Sequence, residues 1–207
     1  MRVPTTILIA AAALVSACDA DAYVVNINMG TDAVYLRVGD GNFIGTYANS
    51  GIPQSGGAIS RVSVTVPQAA VGNGTPQVMT ANGRLTSDWD GYLFCNPGQL
   101  YVGGFYRRSN NANVNATLTV TAPAALVNAD GDTIPISDIS WTSSGNGDGG
   151  ATQPVPSGSF QAGTRTLAND FRRNTWRESC LTFRYANTQL AAGGTYTARV
   201  TYTLTAP

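Results

Sequence analysis

Between residues 195 and 205, Tyr196, Ala198, Val200, Tyr202 and Leu204 alternate without a break with Thr195, Thr197, Arg199, Thr201, Thr203 and Thr205. A period of two sends one set of side chains to one face of an extended strand and the other set to the opposite face, a separation that a helix of 3.6 residues per turn cannot make. The apolar face needs a core and the backbone needs partner strands, so the rest of the chain must supply a sheet. Gly193 and Gly194 provide the turn before the run.

Further strands are predicted over 23–29, 33–38, 59–66, 90–94, 100–106, 114–122, 133–141 and 181–185. Only 67–71 and 188–192 are read as helical turns. Of the 207 residues 43% are hydrophobic, only 12% are charged and 23 are Gly. That composition suits strands with hydroxyl-bearing outer faces joined by turns that need positive backbone angles. Many short strands separated by Gly and Pro give an all-β, antiparallel sandwich, with one domain over 23–207. The Ser-, Gly-, Asn- and Pro-rich stretch 143–158 is the candidate boundary inside it, read as a long loop or as the seam between two closely paired halves.

Residues 1–22 read as an export signal: Arg2 precedes an apolar core over 7–15 that is too short to span a bilayer, and small residues follow. Two processing sites compete. Ala20-Asp21-Ala22 would release a chain beginning at Tyr23, whereas Val15-Ser16-Ala17-Cys18 resembles a bacterial lipobox that would lipidate Cys18 and anchor the protein. Either outcome leaves Cys95 and Cys180 as an even pair in an oxidising compartment, expected to form a disulfide. Such a bridge closes a loop of roughly 85 residues, which the chain-entropy model values at about 4 kcal/mol. No transmembrane span is expected in the mature chain, which is placed in the periplasm, at the cell surface or outside the cell.

The chain has no His, twelve basic residues and twelve acidic ones. Without imidazole there is no Ser-His-Asp or Cys-His arrangement and no His-ligated metal. Neutral net charge, with its densest basic pairs at Arg107-Arg108 and Arg172-Arg173, argues against nucleic acid as a partner. Asp88 and Asp90 flank Trp89, which reads either as a ligand site with two acids beside a sugar platform or as a plain turn; on an extended strand the two acids would share a side. Asn128, Asp130 and Asp132 begin with the spacing of a calcium loop, but Thr133 replaces the required Gly and Ile139 the last ligand, so a hairpin turn is favoured. Trp141 and Trp176 are expected in the core, and Trp89 either there or at a ligand. No metal and no cofactor are expected, and the chain is expected not to be an enzyme.

The terminal run, with Gly194 fourteen residues from the end and Tyr196, Ala198, Val200, Tyr202 and Leu204 in one parity, resembles the closing strand of spore-coat-protein-U-like and chaperone-usher pilin subunits. Ala206 stands where those families carry a penultimate Tyr. The resemblance implies an incomplete immunoglobulin-like fold whose terminal strand forms an assembly edge. It also implies that the segment with Tyr23, Val25, Ile27 and Met29 is donated to a neighbour, by self-assembly or to another envelope β-subunit, with a periplasmic chaperone as a further partner. The expected function is therefore a noncatalytic structural or adhesive envelope protein. A secreted carbohydrate-binding module or surface lipoprotein is the alternative.

Overall fold

The computed structural model describes residues 32–54, 56–108, 114–145 and 155–207. In chain order its strands are β1 (Ala33–Val38), β2 (Asn42–Ile44), β3 (Ile52–Gln54), β4 (Val62–Ser63), β5 (Gln77–Val78), β6 (Thr80–Ala81), β7 (Leu100–Arg107) and β8 (Ala116–Ala122). They continue with β9 (Ala125–Val127), β10 (Thr133–Pro135), β11 (Ile139–Ser144), β12 (Gly158–Ser159), β13 (Gly163–Phe171), β14 (Arg177–Tyr185) and β15 (Thr201–Thr205). Among the described residues the only helical pieces are three-residue 3-10 turns, and the strands pair antiparallel, so the fold is all-β.

Two sheets carry the architecture. The larger runs β1-β7-β14-β11-β12, with β5 added to the end of β14, and the smaller runs β13-β8-β15. Their facing sides share one core. Leu100, Val102 and Tyr106 of β7 and Leu181, Phe183 and Tyr185 of β14 join Leu118 and Val120 of β8 and Leu204 of β15 there, each set spaced by two as a strand requires. Gly104 interrupts the β7 series for a steric reason. A Cβ there would sit 2.6 Å from the Tyr35 carbonyl oxygen and 3.5 Å from Leu204 Cδ2, so the missing side chain lets β1 and Leu204 close over β7.

The outer face of the larger sheet is covered too, which is why β7 is buried on both sides. Tyr101 and Phe105 of β7, Tyr35 of β1, Cys180 of β14 and Trp176 form a second apolar cluster with Phe94 and Cys95, flanked by Phe43, Tyr47 and Leu85. The covering residues come from the segment 40–95. Its end is fastened to the centre of the sheet by the Cys95–Cys180 disulfide, whose two residues are fully buried.

Several predicted elements differ from those observed. The run 195–205 is a strand only over Thr201–Thr205, paired with β8; before it Thr197 makes an isolated bridge to Val127, and Val200 continues the inward parity. Ala198 is exposed, outside that pattern. The run 133–141 is divided because Pro135 has no N–H to continue a ladder, and a 3-10 turn over Ile136–Asp138 separates β10 from β11. Of 59–66 only Val62–Ser63 is strand, and 90–94 is turn and irregular chain rather than strand. The helical turn expected over 67–71 is the 3-10 turn Gln68–Ala70, but 188–192 forms none. There the chain leaves Asn187, a buried residue with φ +54° whose amide is held by Gly72 N, Ala70 O and Asn73 Oδ1. Residues 1–22, Cys18 and the segment of Tyr23, Val25, Ile27 and Met29 lie outside the described residues. Beyond 146–154, which are also outside them, Val155 returns fully buried to the same core as Phe183.

Candidate functional site

Strand alternation delivers three polar side chains to the covered face of the larger sheet. Arg37 follows Tyr35 on β1, Tyr101 lies on β7, and Glu178 lies opposite Gly103 in the β7–β14 register. Gly103 makes the arrangement possible: a Cβ there would lie 2.4 Å from the Tyr101 hydroxyl, so only glycine leaves room for that ring to lie along the strand and reach Glu178.

Onto these groups the covering segment places the turn 87–92, closed by hydrogen bonds from Ser87 N to Tyr92 O (2.8 Å) and from Gly91 N to Ser87 O (3.0 Å). Asp88 points inward. It is fully buried, accepts from Arg37 Nη1 at 2.5 Å and from the Tyr35 hydroxyl at 3.4 Å, and has Arg84 Nη1 at 3.6 Å. Arg37 also donates to Gly41 O, while its buried Nε finds no partner among the described residues. The Tyr101 hydroxyl accepts from Asp88 N (3.2 Å) and donates to Glu178 Oε2 (2.6 Å). Glu178 also accepts from Trp176 Nε1 (2.9 Å) and from Ser87 Oγ (2.7 Å), and Ser87 Oγ in turn accepts from Trp89 N (2.9 Å).

Burial dominates the electrostatics of this network. It raises the Glu178 carboxyl above its ordinary range against the hydrogen bonds from Tyr101, Trp176 and Ser87, and raises Asp88 against the pull of Arg37 and Arg84. Burial, then the neighbouring Asp88, pushes Tyr35 up to about 12, and burial with Glu178 pushes Tyr101 up as well. Both phenols therefore remain donors at neutral pH.

Above the network the turn presents an aromatic face. Trp89 is 42% exposed and its ring stacks on Tyr47 with centroids 5.2 Å apart, and Tyr92 is 76% exposed. Tyr47 in turn packs on Phe105 (4.8 Å) and Trp176 (5.4 Å). Backbone bonds from Tyr47 N to Asp88 O (2.8 Å) and from Ala48 N to Trp89 O (2.9 Å) lock the two segments together.

No family model, curated protein or solved structure matches the chain.

The structure separates the two acids that the sequence places on one side of a strand. The segment is a turn, so Asp88 is buried in an ion pair while Asp90 is exposed and accepts from Tyr92 N at 3.0 Å. A two-carboxylate hydrolytic pair needs both groups facing one substrate space, and these do not. Trp141 and Trp176 are core residues, whereas Trp89 is not. Asn128 Oδ1 accepts from Asp130 N and Asp132 N, the geometry of a side-chain-closed turn, and no group of three metal-ligating side chains occurs among the described residues.

Gly194, with φ +153°, sits against the Asn128 side chain, which gives it a local conformational reason. Tyr196, Val200, Tyr202 and Leu204 pack on the main core. Arg37, Tyr47, Tyr101 and Glu178 were not picked out from the sequence. Two of them carry a signal that could have found them: Arg37 is the one charge in the apolar run of β1, and Glu178 is the only glutamate in the chain.

Proposed function

We propose that this is a noncatalytic, exported structural or adhesive protein of the cell envelope, built as an immunoglobulin-like, pilin-like sandwich and completed by a strand from another chain. The observation that supports it is the side of the molecule where both sheets end. Among the described residues β1 pairs only with β7 and β15 only with β8, and the two strands lie close to each other without pairing. Two outer edges meeting over one core leave backbone groups unpaired along β1 and β15, the first requirement for strand addition. The Tyr202 hydroxyl on β15 fits the same reading, since it is buried and unpartnered among the described residues. The segment of Tyr23, Val25, Ile27 and Met29 is the proposed donor, and Gly194, Tyr196, Ala198, Val200, Tyr202 and Leu204 the accepting edge. The buried disulfide accords with export.

Size-exclusion chromatography and thermal unfolding of the chain beginning at Tyr23, with and without residues 23–29, test the proposal. Loss of self-association or a lowered Tm on deletion is expected. Equal monomericity and equal stability of the two chains would exclude strand donation. Intact mass of exported protein distinguishes a start at Tyr23 from lipid on Cys18.

A further inference from the structure

We propose that Trp89 stacked on Tyr47, with the Asp90 carboxylate beside it, is a binding site for a neutral saccharide. The inference belongs to the covering segment 40–95 and does not depend on strand addition at β15.

Tyr47 packs on one face of the Trp89 ring, yet Trp89 as a residue is still 42% exposed, more than its backbone alone can present, so part of the indole is accessible beside the stack. A flat indole face of this kind matches the C–H face of a pyranose, while the hydroxyls at the ring edge need hydrogen-bond partners placed around the platform. Asp90 supplies one. Its Oδ1 accepts from Tyr92 N at 3.0 Å, which orients the carboxylate, and the residue is exposed on the same turn. Tyr92, two residues further on, is 76% exposed and adds a phenol at the rim.

The support beneath is a second, independent observation. A surface turn can be held by apolar contacts alone, and a buried ion pair is weak evidence for stability because desolvation offsets its Coulomb energy. Here the two residues before the turn's tip are fixed by the Arg37–Asp88 pair, by Ser87 on Glu178 and by Tyr101 on the Asp88 amide. The aromatic stack runs unbroken from Trp89 through Tyr47 to Phe105 and Trp176 in the second cluster. A ligand meeting this face therefore finds a platform already in its binding geometry, which reduces the ordering cost of association.

Charge selects the ligand class. Asp90 puts a negative charge at the rim, and the cations nearest the stack are engaged below it, Arg84 Nη1 at 3.6 Å from the buried Asp88 and the Arg107 guanidinium over the Phe105 ring at 5.9 Å, so an uncharged polyol suits the face better than a phosphorylated or sulfated ligand.

Native affinity electrophoresis of the full mature chain through gels containing β-1,4-glucan, β-1,3-glucan, mannan, xylan or a sulfated polysaccharide tests the assignment. Retardation by at least one neutral polymer is expected, with Trp89→Ala weakening it roughly tenfold or more, as loss of a stacking platform does. Asp90→Asn should weaken it less. Because Trp89 touches Tyr47, unchanged Tm of both variants is measured alongside, and Asp90→Asn serves as the probe if Trp89→Ala unfolds. No retardation in any neutral gel, stronger retardation by the sulfated polymer, or equal retardation of all three proteins overturns the proposal.

Discussion

Arg37 and Asp88 are nearly inaccessible to solvent, and each is the other's main compensation, so the pair should show a large difference between breaking it and replacing it. Arg37→Ala leaves a buried carboxylate with only the partly exposed Arg84, at 3.6 Å, and the Tyr35 hydroxyl; a loss of about 3 kcal/mol is expected in urea unfolding. The double variant Arg37→Met, Asp88→Leu removes both charges together and should lose far less. A double-variant loss equal to the single one would show that packing, not charge, sets the cost. Glu178 gives the pH counterpart. Burial raises its folded-state pKa, so the native chain binds a proton over a window where the unfolded chain has released it. Stability from this group is thus fully present below the ordinary carboxylate range and is lost as pH rises through the raised value. The urea midpoint should decrease as pH rises above the ordinary carboxylate range, and Glu178→Gln should flatten that slope. An unchanged slope would assign it to Asp88 instead. Neither Arg37 nor Glu178 was legible as part of a site, because their partners are 51 and 77 residues away, on a turn and on a neighbouring strand, and no local pattern encodes such meetings.

At the scale of elements, β15 shows what periodicity can and cannot tell. Its alternation gave the inward parity correctly, with Val200, Tyr202 and Leu204 on the core, but not its length, because a strand ends where its partner does and β8 pairs only with Thr201–Thr205. β13 escaped prediction for the opposite reason. Its two register shifts against β8 break the period of two that makes a strand visible in sequence. Tyr202 allows an element-scale measurement. Its hydroxyl is buried with no partner among the described residues, and burial raises its pKa. In the isolated chain Tyr202→Phe should leave stability unchanged or raise it by about 1 kcal/mol, since an unsatisfied hydroxyl disappears and the ring remains. A clear loss of stability would reveal a partner for that hydroxyl outside the described residues. Chemical denaturation of a chain lacking residues 23–29 beside the longer one separates the two cases.

Across the whole molecule, the Cys95–Cys180 bridge joins the end of the covering segment to the strand that carries Glu178, so it ties the aromatic turn to the sheet rather than one sheet to the other. The pairing was legible from cysteine arithmetic, whereas the layer it secures was not, because segment 40–95 covers the sheet with short strands and turns that have no sustained period. The main core between the two sheets does not include either cysteine. Replacing both cysteines by Ala should therefore have a local consequence as well as a global one. Releasing a loop of 85 residues lowers stability by about 4 kcal/mol in the chain-entropy model. The hydrogen-exchange protection of 42–54 and 85–94 should fall further than that of β8, whose buried side chains, Ala116, Leu118, Val120 and Ala122, all lie in the other core. Exchange rising equally in both regions would mean that the covering layer and the two-sheet core open as one cooperative unit. In that case the aromatic face at Trp89 would owe its rigidity to the sheets themselves rather than to the bridge and the buried polar network beneath it.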